Sequence, residues 1–331
     1  MTNDSAFQDK NVLITGGLGF IGSNLAHALV QQGADVTLVD SLLPDYGGNL
    51  FNIEAIKDNV TVHFADIRSQ HSMQVLVKNQ DYIFNMAGQT SHIDSMTDPY
   101  TDLEINCRSQ LSLLEAVRHN STNDVKIVYA STRQIYGKPL YLPIDEKHLL
   151  QPTDVNGINK MAGEWYHILY HNIYGIKTCS LRITNTFGPR QLMKHNRQGF
   201  IPWFIRLALE DKKIQVYQPG TQLRDINYID DVVDALLLAA SSPQAYGNVY
   251  NLGHHEHVSL LDFVEVLINA AKSGSYELID FPPEKKMIDV GSTYCDYSRI
   301  KRELGWEPKT SLRVGLEQTL SFYRDHKKHY W

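Results

Sequence analysis

Asn11-Val12-Leu13-Ile14-Thr15-Gly16-Gly17-Leu18-Gly19-Phe20-Ile21-Gly22 is the stretch whose reading decides the fold. Asn11–Thr15 is an apolar run of strand length, and from Ile21 to Gln32 the residues Leu25, Ala28 and Leu29 recur at helical spacing. Gly16, Gly19 and Gly22 lie between them in the pattern G-x-x-G-x-x-G. Such a turn brings main-chain N–H groups against a pyrophosphate and aims a helix N-terminus at its charge. Phe20 and Ile21, which open the helix, share that contact. Glycines alone would say little; glycines between a strand and a helix are specific.

The next apolar run, Asp35–Asp40, ends in a carboxylate. Asp40 is placed to accept hydrogen bonds from the ribose hydroxyls of an adenosine. It would repel a 2′-phosphate, and no Arg or Lys follows before Lys57. The expected cofactor is therefore NAD rather than NADP.

Composition narrows the classes. The chain has 331 residues, room for one large domain or two smaller ones, and its 43% hydrophobic and 21% charged residues suit a globular protein. A net charge of −6 gives no basic field for a nucleic-acid partner. No apolar run reaches membrane-span length, and the first ten residues lack the basic and apolar regions of a signal peptide. Cys107, Cys179 and Cys295 are scattered and lack metal spacing, so no metal and a reducing, cytoplasmic setting are expected.

Along the first 180 residues, strand-like runs (Thr61–Ala65, Tyr82–Met86, Lys126–Ser131, Lys177–Arg182) alternate with helical patterns, notably Thr101–His119 and Gly157–Asn172. That alternation predicts an α/β fold, a doubly wound parallel sheet with helices on both faces and ligands beyond the carboxyl ends of the strands. Past about residue 185, Gly and Pro interrupt shorter elements, as expected of a smaller second domain. Asp230–Ser241 is apolar on most sides, which predicts a helix returning to the first domain. Ser259–Asp262 reads as a capping box opening a helix to Ala271.

Taken in order, the motifs resemble the extended short-chain dehydrogenases/reductases, in particular the nucleotide-sugar epimerases and dehydratases. They are the glycine turn with Asp40; Asp66-Ile67-Arg68; Ala87-Gly88-Gln89; Ser95-x-x-Asp98-Pro99; Asn106; Ser131-Thr132-x-x-Ile135-Tyr136-Gly137; and Lys160. Asn185-Thr186-Phe187-Gly188-Pro189-Arg190, Arg224-Asp225-x-x-Tyr228-Ile229-Asp230-Asp231 and Asn251-Leu252-Gly253 follow. The resemblance implies a Rossmann-type NAD-binding domain over residues 1–183, rejoined by 226–253. Residues 184–331 would mainly bind substrate. It implies a nucleotide-diphosphate sugar as substrate, transient oxidation at sugar C4, NAD contacts from Asp66, Ile67, Ala87, Gln89 and Lys160, and a homodimer formed through the helices at Thr101–His119 and Gly157–Asn172.

One motif is broken. The family base is a Tyr four residues before the Lys, whereas here Asn156 stands four residues before Lys160, and an amide cannot ionise. Tyr297–Lys301 and Tyr323–Lys327 repeat the spacing but lie far from the family position. Three readings follow. The proton goes to His92, to Lys160 itself or to a water held by Thr132; or Asn156 positions substrate in an unusual scheme; or the chain binds NAD and sugar nucleotide without turnover. Imidazole titrates near neutrality, which favours His92.

The 4,6-dehydratases of the family follow the catalytic Thr with an Asp-Glu pair. Arg133 and Gln134 stand there, so elimination lacks its acid and base, and epimerisation leads, with dehydration as the alternative. Arg133 and Gln134 are candidate substrate contacts. By the resemblance Arg224 meets the substrate diphosphate with Asp225 orienting it, and Asn185 and Arg190 lie along the nucleotide. Met193–Arg197 forms a basic loop nearby, and Lys286 is a further diphosphate candidate. His254-His255-Glu256-His257 fills a turn and has no second ligand group at matching spacing.

Overall fold

We describe a computed structural model of the chain over residues 6–43, 45–282 and 289–331. In chain order the first part holds β1 (Asn11–Thr15), α1 (Phe20–Gln31), β2 (Asp35–Asp40), β3 (Val60–Phe64), α2 (Gln70–Leu76) and β4 (Tyr82–Asn85). After them come α3 (His92–Thr97), α4 (Pro99–Leu103), α5 (Ser109–Asn120), β5 (Lys126–Thr132), α6 (Val155–Tyr174) and β6 (Lys177–Ile183). The second part holds β7 (Asn185–Phe187), α7 (Phe200–Leu209), β8 (Lys213–Tyr217), β9 (Leu223–Tyr228), α8 (Ile229–Ser241) and β10 (Val249–Leu252). It ends with β11 (His257–Ser259), α9 (Leu260–Ala271), β12 (Ser275–Ile279), α10 (Ser298–Leu304) and α11 (Leu312–His326).

Seven strands form one sheet in the order β10-β6-β5-β4-β1-β2-β3, every neighbouring pair parallel. This is a Rossmann-type α/β fold. Its central strands are buried on both faces, which is why β1, β4 and β5 read as apolar runs rather than alternating ones. The order reverses between β1, which leads out to β2 and β3, and β4, which leads out to β5 and β6. Such a switch point opens a crevice above the strand ends. β10 hydrogen-bonds to β6, and α8, with Val232, Val233, Leu236 and Leu237 buried, packs on α1, β5 and β6. A three-stranded sheet (β11-β9-β7) and a two-stranded one (β12-β8) build the remainder with α7, α9 and α11.

The stretch read as a single helix over Thr101–His119 is helical throughout, with one widened turn inside it. Asp98 caps α4 ahead of Pro99, and Glu104–Arg108 widens into a π-helical turn before α5 resumes. The π turn faces buried Asn106 toward the main chain of Gln89, with which it exchanges two hydrogen bonds, of 2.9 and 3.2 Å. Widened turns of this kind recur beside functional sites. α9 opens on the expected capping box, Ser259 and Asp262 each accepting from the other's main-chain N–H.

Candidate functional site

The glycine turn is built by contact. Gly16 has φ +66, a left-handed backbone, and a Cβ on it would lie 2.9 Å from Ala87 Cα on the neighbouring strand end. A Cβ on Gly22 would lie 2.2 Å from Gly16 O. Only hydrogen lets α1 come down onto the turn. Gly19, at the N-cap of α1, has no side chain to cap the helix, and its first turn holds no acidic residue. Among the described residues, the N–H groups of Phe20, Ile21 and Gly22 therefore have no partner at the mouth of the crevice, where all three line it. An uncapped helix N-terminus walled by glycine fits a dinucleotide pyrophosphate.

The crevice is about 360 Å³ and runs across the switch point. Gly16, Gly19, Phe20, Ile21, Gly22, Asp40, Asp66, Ile67 and Ala87 line it, as do His92, Thr132, Arg133, Gln134, Asn156, Lys160 and Asn185. Asp40 is pinned at the end of β2: its carboxylate accepts from Leu18 N at 3.1 Å and Leu42 N at 2.9 Å. Burial pushes its carboxyl up from the ordinary value against those two bonds. Asp66 forms a close pair with Arg68, whose Nη2 lies 2.6 Å from it. Burial raises the Asp66 carboxyl, and the Arg68 bonds outweigh that and hold it low.

The other end of the crevice is held from below. At the end of β5, Ser131 donates to Glu164 at 2.6 Å, and Glu164 pairs with Arg182 at 2.6 Å, both side chains nearly fully buried. Arg182 also donates to the Tyr136 hydroxyl (2.6 Å), which donates to Asn251 Oδ1 (2.7 Å). This network locks β5, β6, α6 and the 3₁₀ turn Arg133–Tyr136 together, so Thr132, Arg133 and Gln134 face the crevice from a rigid base. Thr132 Oγ1 accepts from Gln134 N at 3.2 Å, and its own proton is left to donate into the crevice.

Lys160 and Asn156 project from α6. Lys160 Nζ donates to Ala130 O at 3.2 Å and lies where a Cβ on Gly88 would be 2.7 Å away. Burial lowers the ammonium to about 8, with Asp102 pulling the other way. Asn156 donates to Gln89 O at 2.7 Å and to Asp102 Oδ2 at 2.9 Å, which occupies both amide protons. Asp102 also takes Asn106 and Asn159, at 3.0 and 2.8 Å. Asn156 is thus held by a buried carboxylate.

His92 pairs through Nδ1 with Asp154 and receives the Gln134 amide at Nε2, 2.5 Å away. Asp154 is also the N-cap of α6, accepting from Gly157 N at 2.7 Å. Burial raises its carboxyl, and the bond to His92 wins and lowers it. With the Gln134 amide donating, His92 carries its proton on Nδ1 and presents a lone pair at Nε2. Asp154 escaped the sequence reading; a capping Asp two residues before Asn156 was the available signal.

Several expectations are corrected. Gln89 is buried and stays behind the crevice wall, where it supports Asn156 and Asn106. Arg190 is tied to Asn52 O and Asn24 Oδ1 (3.2 and 2.8 Å) beneath the crevice rather than along it. Arg224 does not line the crevice: it is buried and donates to the carbonyls of Leu223 (2.8 Å) and Gly291 (2.5 Å). Asp225 does not orient it, accepting instead from Cys295 N at 2.9 Å. In the basic loop, Lys194 and Arg197 pair with Asp45, and Arg197 also with Asp94, drawing the loop to the segment after β2. Tyr323 is buried on Gln191 O, and neither it nor Tyr297 lines the crevice. His254 and His257 turn to Thr310 O and the Tyr294 ring, and no group of three metal-ligating side chains gathers among the described residues. Lys286 lies outside the described residues.

Gly88 and Thr90, at the strand end that carries Ala87, line the crevice too, and Tyr46 is a crevice residue the sequence reading missed. Tyr46 is the one tyrosine lining the crevice among the described residues. Burial, then Asp94 and Asp98, push its phenol above the ordinary value, which disfavours its acting as a base.

The sequence matches the model of the NAD dependent epimerase/dehydratase family over residues 12–253. It is 30% identical over 321 residues to a putative UDP-glucose 4-epimerase of Methanocaldococcus jannaschii, across 96% of this chain and 99% of that one. It is 29% identical to the dTDP-D-glucose 4,6-dehydratase of Bos taurus, across 96% of this chain and 89% of the relative. The UDP-glucose 4-epimerase of Thermotoga maritima, solved with UDP-glucose, superimposes with a TM-score of 0.86 at 29% identity, covering 96% and 99% of the two chains.

Proposed function

Because this chain belongs to the NAD-dependent epimerase/dehydratase family of extended short-chain dehydrogenases/reductases, we propose that it is a nucleotide-sugar epimerase acting through transient oxidation at sugar C4. Bound in the crevice, NAD supplies a reversible hydride acceptor. One observation favours epimerisation over dehydration. The carboxylates lining the crevice among the described residues are Asp40, which ends β2, and Asp66, which follows β3, both on the β2–β3 side. At the opposite end, by Thr132, the lining groups are Arg133, Gln134, Asn156, Lys160 and His92. Elimination needs a carboxylic acid and base beside the sugar, and none is offered there.

The chain's own groups divide the work. The uncapped N-terminus of α1 holds the pyrophosphate, and Asp40 holds the adenosine ribose. Lys160 keeps protons beyond its bond to Ala130 O for the second ribose. Thr132 donates to the oxygen of the reacting hydroxyl. His92 Nε2 takes that hydroxyl's proton once the sugar displaces the Gln134 amide. Asp154 holds the opposite nitrogen and stabilises the imidazolium that results. Asn156, with both amide protons engaged, offers only Oδ1, and so positions rather than reacts.

The reading also makes the protein a homodimer. Ile158, Trp165, Leu169 and Ile173 form an exposed apolar stripe along α6, beside exposed Tyr100 and Leu103 on α4.

Incubation with NAD⁺ and a panel of UDP-, dTDP-, GDP- and CDP-sugars, followed by NMR, tests the reaction. A C4 epimer without net NADH is expected. A deoxy-keto product would replace epimerisation by dehydration, and binding of every sugar without turnover would make the chain a non-catalytic binder.

A further inference from the structure

Among the described residues, Arg133 is the one cation lining the crevice that the reaction above leaves idle. It directly follows Thr132, is half-buried, and donates no hydrogen bond and forms no ion pair among the described residues. The pairs around it are already made: Asp154 with His92, Glu164 with Arg182, Asp225 with the Cys295 main chain. Its charge is nonetheless felt on several sides. It helps hold the Asp154 carboxyl low, and it acts on Asp225 and Arg224. Arg224 is itself buried without a carboxylate bond, and burial, then Arg133, pull it down to about 10. Of these two guanidiniums only Arg133 lines the crevice. A fork of unengaged donors held in partly buried surroundings is a site for a carboxylate or phosphate oxygen pair.

We propose that Arg133 binds a carboxylate borne by the sugar ring, so that the substrate is a nucleoside-diphosphate uronic acid. This rests on the reading of Thr132 as the contact to the C4 hydroxyl. The substituents beside the C4 hydroxyl are the C3 hydroxyl and the C6 group on C5, and of these only an oxidised C6 carries the charge that a neighbouring guanidinium would pair. A C6 carboxylate has no hydroxyl to eliminate. A substrate of that kind therefore has no use for the acid–base pair that Arg133 and Gln134 replace, and the two departures from the dehydratase pattern acquire a common cause. The diphosphate is the competing anion, and the measurement separates the two.

Calorimetry on the NAD-loaded protein would compare UDP-glucuronic acid with UDP-glucose, GDP-mannuronic acid with GDP-mannose, and UDP and GDP alone. Within the pair of the accepted nucleotide, the uronate is expected to bind about tenfold to a hundredfold more tightly than the hexose. Arg133→Gln, which breaks no internal bond, is expected to erase that preference while changing hexose and nucleotide affinity by less than about threefold. Arg133→Lys is expected to keep part of it, since the charge stays and the fork is lost. Equal affinity for uronate and hexose in the unaltered protein overturns the proposal. So does Arg133→Gln weakening uronate, hexose and free nucleotide alike, which would assign the arginine to the diphosphate. A uronate bound selectively but never epimerised would overturn the C4-epimerase reading and leave this assignment standing.

Discussion

Replacing Lys160 with Met should make the cofactor-free protein more stable near neutral pH. Lys160 is 6% exposed, its ammonium donates one hydrogen bond, to Ala130 O, and burial lowers it from 10.5 to about 8. At 1.36 kcal/mol per pH unit that difference corresponds to about 3 kcal/mol of destabilisation. The hydrogen bond to Ala130 O returns about 1 kcal/mol. A thioether of similar length would then stabilise the fold by about 2 kcal/mol. The sign follows from proton counting. Below about pH 8 both folded and unfolded chains hold the proton, and the full penalty is present. Between about 8 and 10.5 the folded chain has released it while the unfolded chain keeps it, so stability rises with pH and the penalty fades. Urea denaturation of both proteins from pH 6 to pH 10 would show a gain at pH 7 that has largely gone by pH 10. A Lys160→Met protein no more stable at pH 7, or one with the same gain at pH 10, would refute the reasoning. A lysine kept at that cost points to a ligand, so the same substitution should weaken NAD⁺ retention.

Other outcomes follow from the same geometry. Asp154→Asn keeps the helix cap on Gly157 N but loses the charge that holds His92. Turnover should fall about 100-fold with KM within about twofold, and comparable KM and kcat losses would make Asp154 structural. Glu164→Gln strands the buried Arg182 and should cost about 3 kcal/mol in urea denaturation. A loss under about 1 kcal/mol would mean the guanidinium finds water. Trp165→Glu places a charge on the exposed stripe of α6, which is 54% exposed at that residue. Light scattering should show the mass halved, with NAD⁺ binding unchanged; an unchanged mass would remove α6 from the interface.

Much of the cofactor end was legible in the chain. Glycine spacing between a strand and a helix is a local property, and Gly16, Gly19, Gly22 and Asp40 come together because neighbouring strands in a parallel sheet end side by side. The apolar runs gave the central strands for a related reason: strands buried on both faces need no alternation. The π turn at Glu104–Arg108 was not legible, because nothing local distinguishes it from helix; it is set by Asn106 reaching Gln89.

What the sequence by itself determined is the parallel α/β architecture, the dinucleotide turn and the absence of an ionisable group at Asn156, all fixed by residue type and short-range spacing. Only the tertiary structure brought together the group we propose in its place, since His92 and Asp154 come from different elements, with Gln134 from a third. It also decided which arginine lines the crevice. Arg190 and Arg224 match family motifs, yet they turn to main-chain carbonyls and an asparagine, while Arg133 faces the crevice. A buried guanidinium goes where acceptors are, and those acceptors belong to segments far away in the chain.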